Sequence, residues 1–110
     1  MEKIVEIKWD EIWPISNILN EVCHGININD FKNEIGFKYE EIVDLLHKLN
    51  KLEPKNTDYN SLIIFKLNDS EQKILLNSFK EVLRQIDEWE FQTRSGVTIQ
   101  EANDIINKVL

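Results

Sequence analysis

Ile64-Phe65-Lys66-Leu67-Asn68-Asp69-Ser70-Glu71 opens a stretch, residues 64–109, that lies without a gap on residues 4–49, which open Ile4-Val5-Glu6-Ile7-Lys8-Trp9-Asp10-Glu11. At this constant offset the identical pairs are Ile4/Ile64, Glu11/Glu71, Asn17/Asn77, Glu21/Glu81, Val22/Val82, Ile26/Ile86, Phe31/Phe91, Gly36/Gly96, Glu41/Glu101, Asp44/Asp104 and Lys48/Lys108. These eleven identities exceed the roughly three or four that chance gives in a composition so rich in Ile, Asn, Glu and Lys. Apolar character also recurs at Val5/Phe65, Ile7/Leu67, Leu19/Phe79, Cys23/Leu83, Phe37/Val97 and Leu45/Ile105. Self-similarity at a fixed period marks a repeated supersecondary unit. The chain is therefore read as two copies, 4–49 and 64–109, joined by a linker, 50–60, that contains Pro54 and little apolar content.

Both copies carry the same succession of local signals. A short β-rich alternation comes first, Ile4, Val5 and Ile7 in one copy and Leu62 to Leu67 in the other, and predicts a strand. Apolar residues then recur at the helical period, at Ile12, Ile15, Leu19, Val22 and Ile26 and at Leu75, Phe79, Val82 and Ile86. Asp10 and Asp69 are expected as N-caps of these helices, the second supported by Gln72, and Pro14 is tolerated because it falls in a first turn. A brief segment around Phe31 or Phe91 stops at Gly36 or Gly96, the residue type that most easily takes the left-handed conformation past a helix end. The last helix carries Ile42, Leu45, Leu46 and Leu49, or Ala102, Ile105, Ile106 and Val109, and Thr98 with Glu101 make a capping box for the second copy. One strand per copy cannot satisfy its own backbone, so the two strands are expected to pair antiparallel about a pseudo-two-fold axis. The predicted fold is mostly α, in the α+β class: two β-α-α-α repeats with a minimal two-stranded antiparallel sheet, in one domain spanning 1–110.

Bulk properties narrow the function. A chain of 110 residues with 42% hydrophobic and 30% charged residues is long enough to bury its own core. No apolar run reaches the length of a membrane span, and charges interrupt the first residues where a signal peptide would need an apolar region. Cys23 is the sole cysteine, which excludes an internal disulfide and suits a reducing cytoplasm. The net charge of -7 is spread evenly, with eleven acids against seven bases in residues 1–55 and nine against six in 56–110. Such a surface repels phosphate backbones and steers basic partners.

No catalytic pattern is present: there is no Gly-rich phosphate loop, nucleophile elbow or His-Glu-x-x-His helix. His24 and His47 lie at no metal-ligand spacing from each other or from Cys23, so neither a metal nor another cofactor is expected, and no enzyme activity. Helix, Gly turn, helix is also the skeleton of DNA-binding helix-turn-helix motifs, with Phe31, Ile35, Gly36, Phe37, Ile42 and Leu45 at the buried places. The helix that would enter the groove, however, presents Lys38, Tyr39, Glu40, Glu41 and Asp44, whereas DNA binding needs Lys and Arg on phosphates.

Polar residues matched between the copies, Asn17/Asn77, Glu21/Glu81 and Asp44/Asp104, cannot be explained by core packing. The plain account of the first two pairs is hydrogen bonding to a neighbouring turn. Trp9, Trp13 and Trp89 have no tryptophan counterpart, aligning with Asp69, Lys73 and Asn29. They either fill the seam between copies or serve as partly exposed interface anchors. Trp13 and Trp89 are the preferred anchors, with Trp9, Glu40, Glu41 and Asp44 completing the candidate partner-binding set.

Leu19-Asn20-Glu21-Val22-Cys23-His24-Gly25 and Glu88-Trp89-Glu90-Phe91-Gln92-Thr93-Arg94-Ser95-Gly96-Val97 resemble a recurring pattern in small bacterial proteins, and the resemblance spans most of the chain. In size, acidity and layout the chain is similar to immunity proteins that neutralise toxins delivered between bacteria. That resemblance implies an inhibitor that occludes a basic protein partner, and it carries over no individual functional residue; the chain is expected to be cytoplasmic, as a monomer or a homodimer. The alternatives are a helix-turn-helix-like transcriptional regulator or adaptor module and a small homodimeric structural protein.

Overall fold

The computed structural model describes residues 2–52 and 61–110. Most of the expected linker, residues 53–60, lies outside them, while Asn50, assigned to that linker on sequence grounds, is the last residue of a helix. In chain order the elements are β1 (Lys3–Lys8), a 3-10 turn (Trp9–Glu11), α1 (Ile12–Asn20), a π turn (Glu21–Gly25), α2 (Phe31–Glu34), α3 (Tyr39–Asn50), β2 (Leu62–Leu67), α4 (Asp69–Gln85), α5 (Glu88–Ser95) and α6 (Ile99–Val109). The chain is mostly helical with one small sheet, and the order strand-helix-helix-helix occurs twice.

Neither strand could exist alone, because half of its backbone groups would be left in an apolar interior without partners. β1 and β2 pair antiparallel with Lys3 opposite Leu67, Val5 opposite Phe65 and Lys8 opposite Leu62. Val5 and Phe65, which coincide at the sixty-residue offset, thus face each other near the middle of the ladder. Alternation then places Val5, Ile7, Ile63, Phe65 and Leu67 under the helices and Ile4, Glu6, Leu62, Ile64 and Lys66 on the opposite face.

Beneath the sheet, α1 packs against α3, α4, α5 and α6. Its buried Ile12, Ile15, Ile18 and Leu19 join Leu75, Phe79 and Val82 of α4 and the stripes of α3 and α6 in one continuous cluster. Phe91 is fully buried edge-on to Phe79, with ring centroids 6.0 Å apart. The helical period that marked these residues in sequence is the face that each helix turns inward.

Helix ends depart from expectation at the N-caps. Asn68, not Asp69, caps α4: its Oδ1 accepts from Glu71 N at 2.8 Å and Glu71 Oε1 accepts from Asn68 N at 2.9 Å. The strand ends at Leu67, so Asn68 is the first residue whose N–H is released, and Asp69 already lies inside the helix. Asp10 likewise falls within the 3-10 turn, while Glu11 Oε1 receives Lys8 N at 2.9 Å. The expected Thr98/Glu101 box is present, with Thr98 Oγ1 accepting from Glu101 N at 3.1 Å. Gly36 and Gly96 have φ of 92° and 87°, a region that costs other L-residues strain. The first long helix relaxes into a π turn at Glu21–Gly25, where α4 continues unbroken to Gln85.

The two matched asparagines explain themselves across this fold. Asn17 Nδ2 donates to Ser95 O at 3.0 Å and Asn77 Nδ2 donates to Ile35 O at 2.8 Å. Each therefore reaches from the first helix of one half to the carbonyl just before the turn glycine of the other. Asn17→Ala and Asn77→Ala should each destabilise by about 1–2 kcal/mol in urea unfolding, since each leaves a carbonyl unpaired at the turn. A negligible loss at either position would show that the crossing bond does not hold the halves together. Ser78 is fully buried and its Oγ has no partner among the described residues, so Ser78→Ala should raise stability by about 1 kcal/mol, read in the same assay.

Candidate functional site

Strand-to-helix turns meet the last helix of the opposite half at two places, and each place forms an open cleft. The first, about 350 Å³, lies between the turn after β1 and α6; the second, about 360 Å³, lies between the turn after β2 and α3. Their linings correspond at the sixty-residue offset: Glu101 and Asp104 with Glu41 and Asp44, Ile105 with Leu45, Lys108 with Lys48, Glu11 with Glu71, Pro14 with Ile74. Lys8 and Asp10 take the places of Asn68 and Ser70.

An ion pair spans each cleft. Lys108 Nζ lies 2.7 Å from Glu11 Oε2, and Lys48 Nζ lies 3.0 Å from both oxygens of Glu71. Burial pushes the Glu11 carboxyl up, but the Lys108 ammonium and the Lys8 N–H outweigh it and hold the group below the usual carboxylate value. Both glutamates also close the turn that starts their own helix. Glu41 and Glu101 are similarly occupied, accepting from Lys38 N at 2.8 Å and from Thr98 N at 3.2 Å. What remains in each cleft is one exposed carboxylate. Asp44 has no hydrogen-bond partner among the described residues, and Asp104 has only Gln100 Nε2 at 3.4 Å. The first cleft also holds Asp10, whose Oδ1 is buried and has no hydrogen-bond partner among the described residues.

Glu21 and Glu81, the remaining matched acids, have structural partners. Arg94 bridges Glu21 at 2.9 Å and Glu90 at 2.5 Å, linking α5 to the π turn. Glu81 is buried and gathers Arg84, through Nε at 3.0 Å and through Nη2, with Gln85 Nε2 at 2.7 Å. The Arg84 guanidinium lowers the Glu81 carboxyl against the opposing effect of burial, and the Gln85 amide adds to the lowering. Burial pushes the Cys23 thiol up to about 11, which leaves it protonated and unreactive near neutral pH.

The sequence-derived candidates are thus dispersed. Glu41 and Asp44 line the second cleft, whereas Glu40, exposed in the first turn of α3, does not. Trp9 packs partly buried on the core and lies 5.7 Å from Trp13 between ring centroids. Trp13 is 47% exposed and Trp89, on α5, is 71% exposed. Sequence reasoning missed the first cleft: Asp104 and Glu101 were visible as matched residues, but their proximity to Glu11 and Asp10 depends on the crossing of halves. Among the described residues no group of His, Cys, Asp and Glu could hold a metal ion, and no helix is long and apolar enough to cross a membrane. α2 is only four residues long, and the exposed side of α3 carries Glu40, Glu41, Asp44 and His47, a charge pattern that opposes a phosphate backbone. Comparison with protein-family models, with curated proteins and with solved structures returns no match.

The titration of Glu81 has a testable sign. A carboxyl lowered by folding contributes stability above its unfolded value, near 4.5, and loses it as pH falls through the folded value. Glu81→Gln should therefore flatten the fall of the melting temperature between about pH 5 and pH 2. An unchanged slope would mean that the Arg84 pair does not contribute.

Proposed function

We propose that this chain is a non-enzymatic binding protein that masks a basic protein partner, in the manner of the immunity proteins whose layout it resembles. The observation that carries the reading is the state of Asp44 and Asp104. Every other matched polar side chain has a strong partner within the fold, and these two exposed carboxylates are left at the mouths of two corresponding clefts. A Lys or Arg from a partner entering either cleft would gain a charge-assisted hydrogen bond there, with Leu45 or Ile105 against its aliphatic stem. The net charge of -7 would accelerate encounter with a basic surface. Trp89, flanked by Glu88 and Glu90, supplies an aromatic anchor with an acidic rim. On this reading the protein acts in the cytoplasm and needs no cofactor.

Co-expression tests the proposal. A neighbouring gene product that is lethal alone should become harmless in the presence of this protein and co-purify with it; a lethal neighbour that remains lethal, or the absence of any, removes the immunity reading. In the complex, Asp44→Lys with Asp104→Lys, and separately Trp89→Ala, should each weaken affinity at least about tenfold. The melting temperature should stay within about 3 °C, as for surface substitutions away from buried contacts. Unaltered affinity in all variants would move the interface away from the clefts and α5.

A further inference from the structure

Each strand turns one row of backbone groups outward, along its own edge of the sheet. In an antiparallel ladder, residues alternate between those that direct N–H and C=O at the neighbouring strand and those that direct them away. Trp9 N donates to Ser61 O at 2.9 Å, continuing the ladder beyond Lys8 and Leu62, so odd-numbered residues of both strands face the partner strand. Ile4, Glu6 and Lys8 therefore turn their backbone groups outward from β1, and Leu62, Ile64 and Lys66 do so from β2. On the β2 edge, Lys48 Nζ donates to Lys66 O at 2.6 Å, while the outward N–H and C=O of Ile64 are unpaired among the described residues. Lys108, the residue in the matching place, donates to Glu11; α6 packs against β1 and Lys3 Nζ donates to Leu110 O, but no side chain caps an outward carbonyl of Ile4 or Glu6 among the described residues. Among the described residues Lys8 N is engaged, by Glu11 Oε1, while the outward N–H and C=O of Ile4 and Glu6 are unpaired. Exposed strand edges in this state recruit further strands unless something blocks them.

We propose that β1 docks edge to edge with β1 of a second copy of this chain, making a four-stranded antiparallel sheet across a two-fold axis at Val5. The occupant follows from charge. Outward groups meet only when even-numbered residues face even-numbered residues, which leaves three registers near the centre of the strand. With Ile4 opposite Ile4, Glu2 faces Glu6; with Glu6 opposite Glu6, the like charges meet directly. Only with Ile4 opposite Glu6 does every like pair vanish, and then Glu2 of each copy faces Lys8 of the other. Opposite charges placed across a ladder favour pairing and like charges disfavour it, so the strand is complementary to itself in one register. The join also merges the outer faces, on which Ile4 and Ile64 are 66% and 67% exposed between the charged side chains of Glu6, Lys8 and Lys66. The seam is short, below the roughly 800 Å² per partner of a stable complex, so the dimer belongs to the weak, transient class.

Sedimentation of the protein alone, from about 1 µM to about 1 mM, tests this without reference to any other partner. The mass should rise toward that of a dimer within the range, and amide exchange at Ile4 and Glu6 should slow as it does. Glu2→Lys and Lys8→Glu should each weaken association about tenfold, by turning attraction into repulsion at both ends of the seam. The double variant Glu2→Lys/Lys8→Glu should restore it to within about threefold. A monomeric mass at 1 mM, or a dimer that ignores all three variants, overturns the proposal.

Discussion

A single strand has no partner for its backbone, and each half of this chain contains one. That constraint forces the halves together: β1 can complete its ladder only with β2, and the pairing opposes Val5 to Phe65. Once the strands are joined, the first long helices of both halves lie under the same sheet face, and their stripes merge into one apolar cluster. Burial of that cluster is the main favourable contribution to folding, but the ladder decides how the pieces are arranged before they are buried.

Polar contacts then fix the halves against each other in matched pairs. Asn17 reaches Ser95 and Asn77 reaches Ile35; Lys108 reaches Glu11 and Lys48 reaches Glu71. Each contact joins positions sixty residues apart to positions sixty residues apart, so one local solution is used twice. The hydrogen bonds from the asparagines satisfy carbonyls beside left-handed glycines, where the chain reverses and helical bonding ends. The lysine pairs are partly exposed, with side-chain exposures of 53% and 38% at the cations, and they contribute less to stability than to the shape of the clefts they cross.

Departures from this correspondence are where the surface acquires character. Lys48 caps the Lys66 carbonyl on the outer edge of β2, whereas Lys108 turns to Glu11 instead of a carbonyl of β1. Asp10 and Lys8 replace Ser70 and Asn68, which makes one cleft more highly charged than the other. The π turn at Glu21–Gly25 has no equivalent in α4, and Arg94 fastens it to α5. Trp89 stands on α5 where the other half has a loop asparagine, Asn29.

Strand and helix positions, the turn glycines and the mostly α class with a two-stranded antiparallel sheet were legible in the sequence, because periodicity and left-handed turns are local properties written in neighbouring residues. The caps were misplaced by one residue at Asn68, since which N–H is released first depends on where the ladder stops, and that is set by the other strand. That Asn17 bonds a turn was legible, but which turn was not, nor was the purpose of Glu11 and Lys108: their partners lie 78 to 97 residues away in the chain. For the same reason, only the folded chain could separate the glutamates spent on helix caps from Asp44 and Asp104, which remain open to solvent, or show that Lys48 caps a carbonyl of its neighbouring strand and Lys108 does not.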